Sequence, residues 1–421
     1  MKKEKYLSSS IFLTLDKLIK LALNIVTFSV IAKFLSADIF GSYSYNLLIY
    51  TVLGVIISFG LDEISSKEII KAYQEKKDDF FTILSISIKF FFALPLSIIL
   101  ICQYSNEIFF YSLALLVLPF TSFKYHVEAN GGGKAFIMPN TLLMIFFSFS
   151  KILVIFQDNP VRYLGYILLL ESIAGLLLNC LFVNFSSIKI KYNHTLAKKI
   201  MKLSLPLWTS AIIAIFANKI DQFYIEYFYG MTEYAGYSFS SRLIEISYTL
   251  PNIAMASMMG YLMTSKVSSK NVFQFFYTLT ILTTFFSIIA LFFVFMFFDK
   301  YEKYLSVALI LSLALPFNAL RVCSGKFYIL KDLTYLSLLR SIQGLIIISI
   351  LIFVLGWLFG ITGVAIAFLL TSIYTGIVVD LWHPETREMA KEKIDVLKSS
   401  FSLAAYVLLL QQFKSFLVKK V

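Results

Sequence analysis

Residues 118–124 read LPFTSFK, and residues 315–321 read LPFNALR. Each is Leu-Pro-Phe, three residues, then a cation. A second pair of phrases repeats at nearly the same distance. SADIFGSYSY (36–45) carries Asp38, Gly41 and Tyr43-Ser44, and MTEYAGYSFS (231–240) carries Glu233, Gly236 and Tyr237-Ser238. The first pair is separated by 197 residues, Pro119 to Pro316, and the second by 195, Asp38 to Glu233. Two matches at nearly one offset predict an internal duplication of about half the chain. Pro119 and Pro316 are expected inside helices, where a missing N–H and a ring clash kink or loosen the turn.

The chain around these phrases is 59% hydrophobic and only 15% charged over 421 residues. Soluble domains are about half apolar and a quarter charged, so the composition predicts a multi-pass membrane protein. Alternation of apolar and polar residues is absent, which argues against a β-barrel. Runs long enough to cross a bilayer fall near 8–34, 40–61, 79–101, 107–124, 136–156, 163–185, 204–228, 234–262, 273–298, 304–323, 335–356 and 361–381. The fold expected is all-α, with about twelve spans. The basic amino terminus lacks a cleavage site and is read as leading into a retained first span.

Loop charges support that count. With the amino terminus inside, the inner segments carry 23 Lys and Arg residues, and the outer loops carry Arg162, Lys300 and Lys303. The net charge of +12 is then a topology signal, and no nucleic acid is expected as a partner. Six spans return the chain to the same side, so the two halves are expected as parallel repeats related by an axis along the membrane normal. The expected division is a six-helix lobe over 1–185, an inner linker over 186–203, a second lobe over 204–382 and an inner or interfacial tail over 383–421. The run FSLAAYVLLL (401–410) is short for a span and reads as an interfacial helix, with a thirteenth span as the alternative.

Ionisable residues within the spans are the functional candidates, because each is costly there. The cations Lys20, Lys89, Lys151, Lys219, Arg242 and Arg340 would suit an anionic ligand such as a phosphate or diphosphate headgroup. The acids Asp16, Glu171, Asp221 and Glu245 would balance them or bind a coupling proton, and sequence alone leaves both roles open. Arg242 and Glu245 are three apart and can pair; Lys219 could pair with Asp221 or Glu226. Trp208, Trp357 and Trp382 fall near span ends, as interfacial belts require. The three cysteines form no CxxC pair, and ANGGGKAF (129–136) lacks the spacing of a phosphate-binding P-loop. No catalytic, metal or cofactor site is expected.

Taken with ADIFGSYSY (37–45), SLPLWTSAIIAIFANKIDQFYI (204–225), EYAGYSFSSRL (233–243) and GITGVAIAFLL (360–370), the chain resembles the multidrug/oligosaccharidyl-lipid/polysaccharide (MOP) flippase superfamily. The likeness is greatest to Wzx-type O-antigen and capsule repeat-unit flippases. That resemblance implies a MATE-like fold, with two six-helix lobes around a central cationic cavity. It also implies transport of an undecaprenyl-diphosphate-linked glycan across the bacterial cytoplasmic membrane by alternating access, beside a glycan polymerase and a chain-length regulator. Rival readings are a multidrug antiporter of the same fold, a membrane glycan polymerase and an assembly scaffold. The polymerase reading expects a sizeable outer loop, and every outer loop expected here is short.

Overall fold

A computed structural model describes residues 19–400 apart from 63, 66, 67, 70–79, 104–106, 130–132, 184, 186, 187, 189–193, 265–267, 331 and 332. The described chain is almost wholly helical. The principal helices are α1 (19–34), α2 (Ala37–Ser58), α3 (Phe81–Gln103), α4 (Phe109–Val117), α5 (Ser122–Ala129), α6 (Gly133–Val154) and α7 (Pro160–Phe182). They continue as α8 (His194–Thr264), α9 (Ser269–Met296), α10 (Leu305–Leu313), α11 (Leu315–Leu330), α12 (Thr334–Ile373) and α13 (Arg387–Ser399).

Eight described stretches are long and apolar enough to cross a membrane. Two of them, Ile200–Thr249 and Tyr335–Trp382, leave helical geometry at a glycine. Gly230 has φ 82 and Gly360 has φ 64, a region that L side chains avoid. Side chains then pair across the first of these breaks in antiparallel order: Asp221 with Tyr237 and Lys219 with Glu245 in α8. Each long stretch is read as a hairpin of two spans, which makes ten. Helix α1 and the broken helix Phe109–Ala129 bring the number to twelve. The chain is a multi-pass membrane protein.

The repeated phrases occupy matching places. Asp38 lies in the first turn of α2, after Ser36, whose Oγ accepts from the Ile39 N–H at 3.5 Å. Glu233 follows the Gly230 break and accepts from Lys303 at 2.6 Å and from the Tyr304 hydroxyl at 2.8 Å. Gly236 lies against the same tyrosine, where a Cβ would come within 2.0 Å of the ring. Both Leu-Pro-Phe phrases interrupt helices, as expected. Leu118–Thr121 forms a tight 3₁₀ turn between α4 and α5, and Pro316 stands at the head of α11 just after α10 ends.

The chain divides into two compact units, 1–215 and 216–421. In the first, α4 packs between α3 and α7. One of its cores joins Phe59, Phe81 and Leu84 to Ala197 and Ile200 near the start of α8. In the second, α9 packs on α11 and on α13, around Phe273, Phe276, Phe327, Met389 and Val396. Large apolar residues remain exposed on both units, including Phe91 at 75% and Trp357 at 81%. Lipid chains are as apolar as Leu, so this exposure carries no hydration penalty in a bilayer.

Two expectations need correction and two lie beyond view. Trp357 and Trp382 are exposed as interfacial residues should be. Trp208 is not of that kind: its indole N–H donates to the Ile56 carbonyl at 2.9 Å and its ring packs on Phe59 and Phe92. Lys219 pairs across the hairpin with Glu245, where the expectation was Asp221 or Glu226. A partner on the same helix competes poorly when a facing helix presents a carboxylate at ion-pair distance. Asp16 and the run 401–410 lie outside the described residues.

Candidate functional site

In the first unit the polar interior forms where Pro119 interrupts the helix. The 3₁₀ turn and the start of α5 present Thr121 and Ser122 to α3. There Lys89, only 1% exposed, donates to Asp62 at 2.5 Å, to Ser122 at 3.2 Å and to Thr121 at 3.4 Å. The Tyr125 ring lies 5.7 Å from its ammonium. An ammonium in lipid-depth protein needs this company, because an uncompensated buried charge costs several kcal/mol. A cavity of about 390 Å³ opens beside the pair, lined by Tyr50, Asp62, Lys89, Thr121, Lys124 and Tyr125 among others. A second, of about 190 Å³, shares Thr121 and Lys124 and adds Asn140, Glu171, Ser172 and Asn179. Glu171 accepts from Lys151 at 2.5 Å.

In the second unit the polar residues form two groups. The first spans the α8 hairpin. Asp221, 2% exposed, accepts from the Tyr237 hydroxyl at 2.5 Å and from the Gln222 N–H at 2.8 Å. Nearby Glu245 accepts from Lys219 at 2.5 Å and from Arg242 at 3.0 Å, one cation on each oxygen. The second group lies where α11, α12 and α13 meet. Arg340 donates to Ser324 at 2.9 Å and stacks over Tyr328, 4.8 Å from its centroid. Lys393 donates to the same Ser324 at 3.0 Å, to the Gly376 carbonyl at 2.7 Å and to Asp380. Tyr328 also donates to Asp380. Burial pulls the Lys393 ammonium below the ordinary lysine range, and the Asp380 carboxylate opposes that pull.

Six of the ten sequence candidates thus fall into ion pairs: Lys151 with Glu171, Lys219 and Arg242 with Glu245, and Lys89 with an acid that had not been singled out. Arg340 is buried beside a second cation, and Asp221 is held by hydroxyl and amide. Lys20 is half-buried on α1. Sequence reasoning missed Asp62, Asp380 and Lys393. Asp62 and Asp380 stand at the very ends of apolar runs, and Lys393 was counted among the inner loop charges. A signal for Lys393 existed. Met389, Lys393 and Val396 are spaced four and three apart, one helical face, and all three are buried.

No protein-family model and no curated protein sequence matches the chain. Its fold is that of known membrane transporters. It is similar to a multidrug resistance MATE family transporter of the MOP superfamily in an inward-facing conformation, with a TM-score of 0.66, 14% identity, and 93% of this chain and 100% of that one covered. It is also similar to the lipid II flippase MurJ in an inward closed conformation, at 0.65 and 12% identity with 97% of each chain covered. A point mutant of the Vibrio cholerae MATE transporter VcmN follows at 0.58 and 12% identity, covering 93% of this chain and 98% of that one. At such identities the likeness concerns the fold.

Proposed function

We propose that this protein is a flippase for an undecaprenyl-diphosphate-linked oligosaccharide, an O-antigen or capsule repeat unit, and that it works by alternating access in the bacterial cytoplasmic membrane. One observation carries the reading. Lys89 and Lys124 line a cavity of about 390 Å³ between apolar helices, beside the hydroxyl-bearing Tyr50, Thr121 and Tyr125. Cations and hydroxyls in an apolar setting suit a diphosphate, whose oxygens accept charge-assisted hydrogen bonds. The fold is shared with a lipid II flippase, which handles a lipid-linked substrate by name. The excess of inner Lys and Arg supports a cytoplasmic amino terminus, and a glycan polymerase and chain-length regulator are the proposed partners. Lys20, Lys89, Lys151, Lys219, Arg242 and Arg340 remain the proposed headgroup contacts, and Asp16, Glu171, Asp221 and Glu245 the balancing or coupling acids. No catalytic role is proposed.

A multidrug antiporter of the same fold is the second reading. Asp62 and Glu171 on the cavity walls favour it, because carboxylates attract organic cations. A deletion strain separates the two. Single lipid-linked repeat units building up on the cytoplasmic leaflet, relieved by the intact gene, support the flippase. Unchanged lipid-linked glycan with greater sensitivity to cationic drugs supports the antiporter. Single units that reach the outer leaflet without lengthening point to a polymerase.

A further inference from the structure

The two Leu-Pro-Phe phrases end in Lys124 and Arg321, positions that read along the sequence as inner loop charges. The structure puts neither in a loop. Lys124 lies on α5, one turn beyond the Pro119 break, and it lines both cavities of the first unit. The larger cavity falls in the range of about 300–1,000 Å³ that small-molecule sites occupy. Arg321 lies on α11, five residues past Pro316, and is half-buried. Residues 321, 324, 325 and 328 share one face of that helix by their spacing. Arg340 packs along this face: it donates to Ser324 at 2.9 Å, lies over Tyr328, and would stand 3.3 Å from a Cβ at Gly325. Arg321 therefore extends the same face one turn earlier, and it acts electrostatically on Arg340 and Tyr248. The Tyr248 hydroxyl is buried without a hydrogen-bond partner among the described residues, as is the Gln343 Oε1 one turn beyond Arg340. Arg340 and Lys393 share Ser324, with Asp380 on Lys393, and Arg321 stands one turn before Ser324 on the same face of α11. Like charges brought together at this depth call for an anion.

We infer that Lys124 and Arg321 are repeat-related phosphate-binding residues, each serving a site within its own unit, Lys124 beside Lys89 and Arg321 beside Arg340. The inference rests on the headgroup reading above and adds two residues and a symmetry to it. The ligand chemistry is a phosphate ester or diphosphate. Arg321 offers a planar fork for two oxygens and Lys124 a single point charge, so the two sites differ in geometry though they share a place in the repeat.

The test uses the full chain, purified into lipid nanodiscs, with undecaprenyl diphosphate and inorganic pyrophosphate as probes. K124Q and R321Q are compared with the wild type, with the conservative K124R and R321K, and with K270Q as a control. Lys270 forms an exposed pair with Asp395 and lines neither cavity. About tenfold weaker binding of undecaprenyl diphosphate, the loss of one charge-assisted contact, is expected for K124Q and for R321Q. Partial recovery is expected in K124R and R321K, and no change in K270Q. Thermal unfolding of each variant separates lost binding from lost folding. Pyrophosphate that competes, and that binds more weakly to the same two variants, identifies the phosphate groups as the contact; binding of the lipid alone, unaffected by pyrophosphate, overturns the phosphate assignment. Unchanged affinity in a folded K124Q or R321Q overturns the inference and leaves the flippase reading standing. A wild type that binds neither probe removes the headgroup reading itself.

Discussion

Lys89 and Asp62 face one another at 2.5 Å, with the ammonium 1% exposed and the carboxylate 33% exposed. The asymmetry decides what each mutation does. D62N leaves a buried ammonium with only neutral acceptors and no counter-charge, and breaking a buried pair from one side costs about 3–5 kcal/mol. K89M leaves a carboxylate that water can still reach. D62N is therefore expected to lower the thermal unfolding temperature in detergent clearly more than K89M. The double variant should recover much of the loss, and equal losses in the two single variants would contradict the account.

Glu245 holds two cations, one on each carboxylate oxygen. E245Q is expected to reduce transport by about tenfold or more, since Lys219 and Arg242 then repel one another without a shared counter-charge. E245D keeps the charge but shortens the reach, and should retain an intermediate rate. On the flippase reading, the check is the rate at which lipid-linked oligosaccharide leaves the exposed leaflet of inverted vesicles and appears on the exposed leaflet of right-side-out ones.

Gly236 lies against Tyr304, with no room for a methyl group. G236A is expected to cut the folded yield in the membrane severalfold, since overpacking costs about 1–3 kcal/mol. Adding Y304L, which removes the ring that the methyl would meet, should restore part of that yield. Size-exclusion recovery after extraction measures both.

Lys393 is the buried pin of α13, with Asp380, Gly376 and Ser324 as its acceptors. K393M preserves length and apolarity while removing all of these bonds. It should loosen α13 from α11 and from the 376–380 segment and speed proteolysis within 387–399, with the spans protected. Unchanged cleavage would mean that Met389 and Val396 suffice to hold the helix.

The fold was legible because its signals are long. Twelve apolar runs and two Leu-Pro-Phe breaks survive errors of a few residues, and the breaks fall where the prolines stand. Gly230 and Gly360 mark the two tight hairpins, in the gaps left between apolar runs. The site was less legible because it depends on which helices face one another. Glu245 could be paired with Arg242 from spacing alone, but its bond to Lys219 crosses the hairpin. Lys89 was recognised as costly, yet its partner stands just past the end of α2, where an acid looks like loop. Lys393 looked like topology because a count of loop charges ignores which face of a helix each charge occupies.

The interruption at Pro119 has a mechanical consequence. Proline has no N–H to offer the Leu115 carbonyl four residues back, and the Leu118 N–H bonds that carbonyl instead. Leu115 is therefore satisfied from within the upper arm, and the joint carries one fewer rung than an unbroken helix. Flexing there gives up little main-chain bonding, which elsewhere in a lipid environment would cost several kcal/mol per orphaned group. The segment beyond the joint, with Lys124 on it, is held to α4 by the 3₁₀ turn and by side-chain packing in place of a full α-helical ladder.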